Sequence, residues 1–292
     1  MNDQKPKRRS GRMPTTAKRR AQTRREFLRT GALAVGVTAL SLTGMVPVLS
    51  GSAARLRPPG AIKDRLDEHE FLAACIKCGQ CVQVCPVEAI KLSDLDEGFG
   101  VGVPYIAPRD QACDFSCDGL QCVLACPTGA LTHHLDFPAD ARMGFARLAR
   151  PKACLAVQGK GFEGQARGPD FKGILRYSEV DRWHPIPVAD HPYDLEICDL
   201  CVRQCPIEQR IAQCAAEARE APRNEARVAR KIGHECPPKH AITLEPAPDG
   251  RGRKPTLHEG CVGCGVCEMI CPAEGGAAIV VDIDRDADHL EA

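Results

Sequence analysis

Three segments of the chain share one pattern of polar and apolar positions. Pro86-Val87-Glu88-Ala89-Ile90, Pro127-Thr128-Gly129-Ala130-Leu131 and Pro272 to Ile279 each run from a proline through a small segment to an aliphatic residue. That pattern predicts a helical turn leading into a strand. Ile207 to Glu235 reads as a helix broken at Pro222, because residues 208–231 are rich in Ala, Glu and Arg. Gly159 to Asp194 is rich in Gly and Pro, carries the only tryptophan, Trp183, and reads as an inserted loop. Near the start, Gly31 to Ser50 is uncharged but only moderately apolar, with three glycines, four Ser/Thr and Pro47.

Such short elements need something to pack around. The chain has 292 residues, 43% hydrophobic, but aromatic residues make up only 4%. Eighteen cysteines and twenty-three prolines stand in their place, which predicts modules built around inorganic centres rather than around one large apolar interior.

Charge divides the chain in two. Residues 1–54 carry eleven Lys/Arg against Asp3 and Glu26, which leaves 28 basic and 36 acidic residues for the remainder. A nucleic-acid partner is therefore not expected, since phosphate binding needs a basic face on the folded part. Thr23-Arg24-Arg25-Glu26-Phe27-Leu28-Arg29 looks like a twin-arginine export signal, and the weakly apolar stretch behind it suits a receptor-read address. Ser52-Ala53-Ala54 offers small residues for cleavage; left uncleaved, the twenty uncharged residues are just long enough to anchor the protein in a bilayer.

The cysteines fall into four blocks, an internal repeat that fixes the architecture. Cys75-x2-Cys78-x2-Cys81-x3-Cys85-Pro86 and Cys261-x2-Cys264-x2-Cys267-x3-Cys271-Pro272 both match the bacterial ferredoxin run. Three thiolates within seven residues can wrap one loop around a cubane, each reaching a different iron. Gly79 and Gly265 let backbone amides approach the sulfurs. The proline turns the chain away and presents the last thiolate to a different cluster. Cys113-x3-Cys117-x4-Cys122-x3-Cys126-Pro127 is wider at the front but keeps the ending. In the third block, Cys198-x2-Cys201-x3-Cys205-Pro206 supplies three thiolates, and the fourth is Cys154 or Cys236. Cys236-Pro237-Pro238-Lys239-His240-Ala241-Ile242 resembles the exit of the repeat, which argues for Cys236. Cys214 is expected to be a small buried thiol outside the ligand set. Ile90, Leu131 and Ile279 are expected to pack against the clusters.

Competing readings of so many cysteines are weaker. A disulfide framework does not explain cysteines two or three residues apart followed at once by proline. Zinc ribbons are built from C-x2-C pairs, each one cysteine short of these C-x2-C-x2-C triples. No C-x-x-C-H marks covalent haem, and no phosphate loop, catalytic triad or carboxylate pair gives substrate chemistry a seat. The chain reads as an electron carrier rather than an enzyme.

With these residues in view, the chain resembles the NapG/MauM family of periplasmic ferredoxin-type proteins. The resemblance runs from about Leu56 to Val281 and rests on Leu56-Arg57-Pro58-Pro59-Gly60-Ala61, the first cysteine block, Pro104-Tyr105 with Arg109, Ala141-Arg142-Met143-Gly144, and Cys154 to Gly159. It implies Cys154 as the opening ligand of the third block, although 43 residues here separate it from Cys198. It also implies a periplasmic carrier of four [4Fe-4S] clusters beside a polytopic iron-sulfur membrane partner. Electrons would pass from the quinol pool toward a periplasmic oxidoreductase such as nitrate reductase, or serve methylamine utilisation. A maturation or redox-support factor for a partner metalloenzyme is the second reading. The fold expected is α+β: a leader in residues 1–54, then two ferredoxin-like dicluster modules, 55–150 and 151–292, the latter with insertions at 159–194 and 207–235. Chain-order pairing joins the first block to the second and the third to the fourth; a nested order is the alternative.

Overall fold

A computed structural model describes residues 55–61, 68–94, 101–117, 120–167, 173–175, 186–187, 192–220, 236–247 and 250–283. The twin-arginine signal, the uncharged stretch behind it, Trp183 and Pro222 lie outside the described residues.

Cysteine loops interrupt the chain so often that most elements are a single turn or a short strand. Helix α1 (Glu68–Ala74) delivers Cys75, whose amide bonds back to the Phe71 carbonyl at 2.9 Å. The one-turn helices α2 (Gln80–Gln83), α3 (Gln121–Leu124) and α4 (Leu200–Arg203) follow within their cysteine loops, as does α6 (Val266–Ile270) nearer the C-terminus. Gly79 and Gly265, just before α2 and α6, have φ of 73° and 91°. These left-handed conformations come without strain where there is no Cβ. Between α4 and α6 lies α5 (Pro206–Glu220), the one long helix among the described residues, which opens on a proline whose missing N–H falls where no intrahelical partner exists.

Among the described residues the strands pair two by two, all antiparallel. β1 (Ile90–Leu92) pairs with β2 (Pro104–Ile106), and β3 (Phe145–Leu148) with β10 (Ile279–Asp282), in a register that sets Ile279 opposite Leu148. β4 (Phe162–Gln165) pairs with β7 (Pro192–Leu195), β5 (Ile174–Leu175) with β6 (Ile186–Pro187), and β8 (Ile242–Pro246) with β9 (Arg253–Leu257). Since β3 and β10 pair across more than 130 residues of sequence, the middle of the chain is tied to its end. Gly51–Ala292 forms one compact unit. Its core is a band of buried aliphatic side chains, among them Ile106, Leu120, Leu131, Met143, Leu200, Ile207, Met269 and Ile279, interleaved with cysteines.

Strands do begin at Ile90 and Ile279 after the first and fourth blocks. After the second block no strand follows Leu131. The Thr132 amide instead bonds to the Gly60 carbonyl at 2.9 Å, so the segment 55–61 takes the place a partner strand would fill. The Gly/Pro-rich insertion is not simple loop either, because β4 and β7 close its two ends. No helix among the described residues is long and apolar enough to cross a membrane.

Candidate metal centres

Each cysteine loop supplies three sulfurs to one site and sends its fourth to another. Cys75, Cys78 and Cys81 line a cavity with Cys126, whose own loop lies some forty residues further on. In return, Cys85 lies beside Cys117 and Cys122, which in turn lie beside Cys113. Burial pushes all three thiols up; neighbouring thiols add to the rise, Cys85 acting on both Cys117 and Cys122, while the Gln121 backbone opposes it at Cys117. The exchange recurs in the second half of the chain. Cys261, Cys264 and Cys267 line a cavity with Cys205, while Cys154, Cys198 and Cys201 line another with Cys271. We call these the first, second, fourth and third quartets in the order just described. Leu131 lines the first cavity and Ile279 the third; Ile90 is buried without lining any of the three.

The third quartet depends on closing the 43-residue separation between Cys154 and Cys198. Pairing of β4 with β7 does this, and the Cys198 amide bonds to the Lys160 carbonyl at 3.1 Å. Gly161 is needed at that closure, because a Cβ there would lie 1.9 Å from the Leu195 carbonyl oxygen. A long loop adds little entropy cost once its ends are pinned, so the insertion leaves the site geometry intact.

Cys236, the alternative fourth member, is elsewhere: it is disulfide-bonded to Cys214. Cys214 is therefore no free buried thiol, while the closely spaced cysteines of the four blocks are not disulfide-bonded. Glu208 takes the place a sulfur holds at the other exits. Where the Ala89 and Ala278 amides donate to the sulfurs of Cys85 and Cys271 at 3.3 and 3.2 Å, the corresponding Ala241 amide donates to the Glu208 carboxylate at 2.6 Å. The strand entry at Ile242 imitates the repeat, but a carboxylate has replaced the sulfur. Thiol titration of the unfolded, iron-stripped chain should give sixteen groups without reductant and eighteen with it. Eighteen in both cases would remove the disulfide.

Soft thiolates in fours suit iron or zinc. A single zinc ion needs its donors all within about 2.3 Å, and among the described residues no three His, Cys, Asp or Glu side chains are placed to hold one ion. The first, third and fourth quartets instead ring a cavity each, four sulfurs spaced around its wall. That arrangement fits a polynuclear group whose irons are each met by one thiolate. Burial pushes the Cys81 and Cys198 thiols up to about 11 and Cys205 to about 12. Thiolates held so dry persist only around a cationic group, which inverts that preference. Cys126 goes the other way: burial raises it, but the amides of Leu131, Thr128 and Gly129 and the Thr128 hydroxyl lower it more. The Leu131 amide reaches its sulfur at 3.4 Å.

Arg109 is part of the site in a way its sequence does not announce. Its guanidinium, half-buried, donates to the carbonyls of Glu268 and Cys271 at 2.7 and 2.9 Å and so caps the end of α6. Arg150 performs the same service for the loop after Cys271, donating to the carbonyls of Gly275 and Ala277 at 3.2 and 3.1 Å. Only proximity in the fold, not spacing in the chain, reveals either role.

Comparison with known proteins agrees with this geometry. Residues 74–130 match the family model of the 4Fe-4S dicluster domain and residues 258–275 that of a 4Fe-4S binding domain. The ferredoxin-type protein NapG of Escherichia coli (strain K12) is 35% identical over 268 residues, 89% of this chain and 86% of that protein. The methylamine utilization ferredoxin-type protein MauM of Methylorubrum extorquens is 34% identical over 273 residues, 91% of each chain. NapG of Haemophilus influenzae is 30% identical, covering 89% of this chain and 72% of its own. No solved structure matches. The mixed helix and strand architecture thus contains two 4Fe-4S ferredoxin-type domains.

Proposed function

The chain belongs to the family of NapG and MauM ferredoxin-type proteins, and from that membership we propose that it is an exported carrier of four [4Fe-4S] clusters. It relays single electrons between a quinol-linked polytopic iron-sulfur protein in the membrane and a periplasmic redox enzyme, of the nitrate reductase type or of a methylamine-utilisation system. The observation that carries this reading is the sorting of the cysteines. Twelve of the sixteen free cysteines line three cavities in fours, the other four neighbour one another, and the remaining two are bonded to each other, a sorting that supports four ligand sets.

The ligands proposed are Cys75, Cys78, Cys81 and Cys126; Cys85, Cys113, Cys117 and Cys122; Cys154, Cys198, Cys201 and Cys271; and Cys205, Cys261, Cys264 and Cys267. A bound [4Fe-4S] cluster supplies reversible one-electron exchange, at a potential anywhere from about −700 to +450 mV. The protein's residues decide where in that range each site falls. Amides aimed at the sulfurs of Cys85, Cys126 and Cys271 stabilise negative charge there and raise the potential, while burial without such donors lowers it. The aliphatic walls keep water off the sulfurs of the fourth quartet, all four of whose cysteines are buried, and the swap of the fourth cysteine holds two sites at fixed separation.

Protein purified anaerobically from the periplasmic fraction should contain about sixteen irons and as many labile sulfides per chain, with paramagnetic signals on reduction. Colourless protein with stoichiometric zinc would overturn the reading. Deletion in the cell tests the role: a carrier's loss leaves the partner enzyme active with artificial dyes, whereas loss of a maturation factor leaves it inactive with every donor.

A further inference from the structure

We infer that the four quartets stand in single file, in the order first, second, fourth, third. An electron then passes between the two halves of the chain at one junction only, where the second quartet meets the fourth. This rests on the cluster reading above and goes beyond it, since neither the pairing of the blocks nor a count of irons orders the sites.

Within each half the order follows from helix packing. Cys81 on α2 belongs to the first quartet and Cys122 on α3 to the second, and α2 packs against α3. Likewise Cys201 on α4 belongs to the third quartet and Cys267 on α6 to the fourth, and α4 packs against α6. The exchanged cysteines, Cys85 with Cys126 and Cys205 with Cys271, fix these two couples.

Between the halves, β3, Arg109 and Arg150 also reach the segment around Cys271 and β10, but the backbone contact between two ligand residues joins the loop of the second quartet to the loop of the fourth. The Cys113 amide donates to the Cys264 carbonyl at 3.3 Å, so one ligand residue of each quartet shares a hydrogen bond. Beside it the Ala112 amide donates to the Met269 sulfur at 3.3 Å. Gly265 is seated so closely that a Cβ would lie 2.6 Å from Pro108 and 3.4 Å from Ala112. The outer quartets have walls of their own. Every lining residue of the first cavity falls between Phe71 and Leu131, and every one of the third between Cys154 and Ile279. At the first end Cys78 and its neighbour Ile76 are exposed, which gives the file an outlet to solvent. Each transfer moves one electron along the file, oxidising one site and reducing the next; the electron is supplied and taken up by the two redox partners proposed above, and no atom or proton need move with it.

Removing one quartet at a time reads the order. Four variants of the full chain, each with two cysteines replaced, serve: Cys75→Ala with Cys78→Ala, Cys117→Ala with Cys122→Ala, Cys198→Ala with Cys201→Ala, and Cys261→Ala with Cys264→Ala. Iron should fall from about sixteen to about twelve in each; if it does not, the four-cluster reading fails rather than the order. Electron paramagnetic resonance of the fully reduced proteins then decides. Magnetic coupling falls steeply with distance, so loss of an end leaves three mutually broadened centres. Loss of the second or fourth quartet should leave one spin in three as a sharp, uncoupled signal. A sharp signal from the end variants, or none from the inner ones, overturns the order. Each half contains one inner and one end quartet, so either half alone supports the comparison if a variant of the other fails to assemble.

Discussion

Replacing Cys154 by alanine should lower the iron content of the anaerobically purified protein from about sixteen atoms per chain to between about twelve and fifteen. Cys236→Ala should leave it unchanged. The upper figure applies if the remaining thiolates of the third site keep a three-iron cluster, the lower if they keep none. The contrast follows from where the two sulfurs lie. Cys154 is buried on the wall of the cavity shared with Cys198, Cys201 and Cys271, held by a turn in which the Gln158 amide bonds to its carbonyl at 3.1 Å. A second anchor comes from the β8–β9 hairpin, where the Arg253 amide donates to Ala156 at 2.8 Å. Alanine there removes one of four soft donors from a buried site and nothing nearby replaces it. Cys236 has already spent its valence on Cys214. Its loss should show instead as a single new thiol, that of Cys214, in an otherwise iron-replete protein. If Cys236→Ala lost the iron and Cys154→Ala kept it, the third site would have to be completed from beyond the second insertion, 207–235, instead.

The ease with which the sequence discloses these sites varies with how local their geometry is. Cys75, Cys78 and Cys81, and Cys261, Cys264 and Cys267, are given away by spacing because each triple lies in one short loop with glycine where the backbone turns left-handed. The second block is harder to read for a physical reason. Leu120 occupies the position of Gly79 and Gly265 before its helix, at φ 50°. A left-handed conformation costs a residue with a Cβ about 1–2 kcal/mol. Leu120 offsets that cost by burying its whole side chain in the core. The wider spacing of Cys113, Cys117 and Cys122 accompanies a loop that tertiary packing, rather than local chemistry, holds in shape.

Long-range closure was the part composition could not show. A Gly/Pro-rich stretch reads as loop, and nothing in residues 159–194 alone says that its two ends pair as β4 and β7 and bring Cys154 to Cys198. The misleading signal at Cys236 has the same origin. The run from Cys236 to Ile242 does lead into a strand, as its likeness to the other exits implies, yet the amide that would face a sulfur is taken by Glu208, 33 residues earlier. Local pattern predicted the backbone there correctly and the partner wrongly. Arg109 and Gly144, by contrast, stand in motifs whose purpose becomes plain only in the fold, since both sit where the middle of the chain meets the fourth cysteine loop.

That meeting point is also where a single methyl group should do most damage. Gly263 and Gly250 have nearly the same backbone conformation, φ 72° and 68°, so replacing either by alanine carries the same left-handed penalty of about 1 kcal/mol. They differ in their surroundings. A Cβ at Gly250 meets nothing within 4 Å, whereas one at Gly263 would lie 2.3–2.4 Å from the backbone C, N and O of Gly144. No side-chain rotation relieves a clash with backbone. Moreover, Gly144 is itself pressed against the Asp282 carbonyl across the β3–β10 pair. Overpacking of this kind adds about 1–3 kcal/mol, and the cost falls on the loop that carries Cys261 and Cys264. For a chain of this size each kcal/mol moves the midpoint by about 2–4 °C. Gly263→Ala should therefore lower the temperature at which the cluster absorbance bleaches by on the order of 10 °C, and Gly250→Ala by about 3 °C. Because bleaching is irreversible, the two must be compared at one heating rate. Equal shifts would mean that the close contact between the fourth cysteine loop and the start of β3 is absent, and with it the tie that holds the fourth site against the middle of the chain.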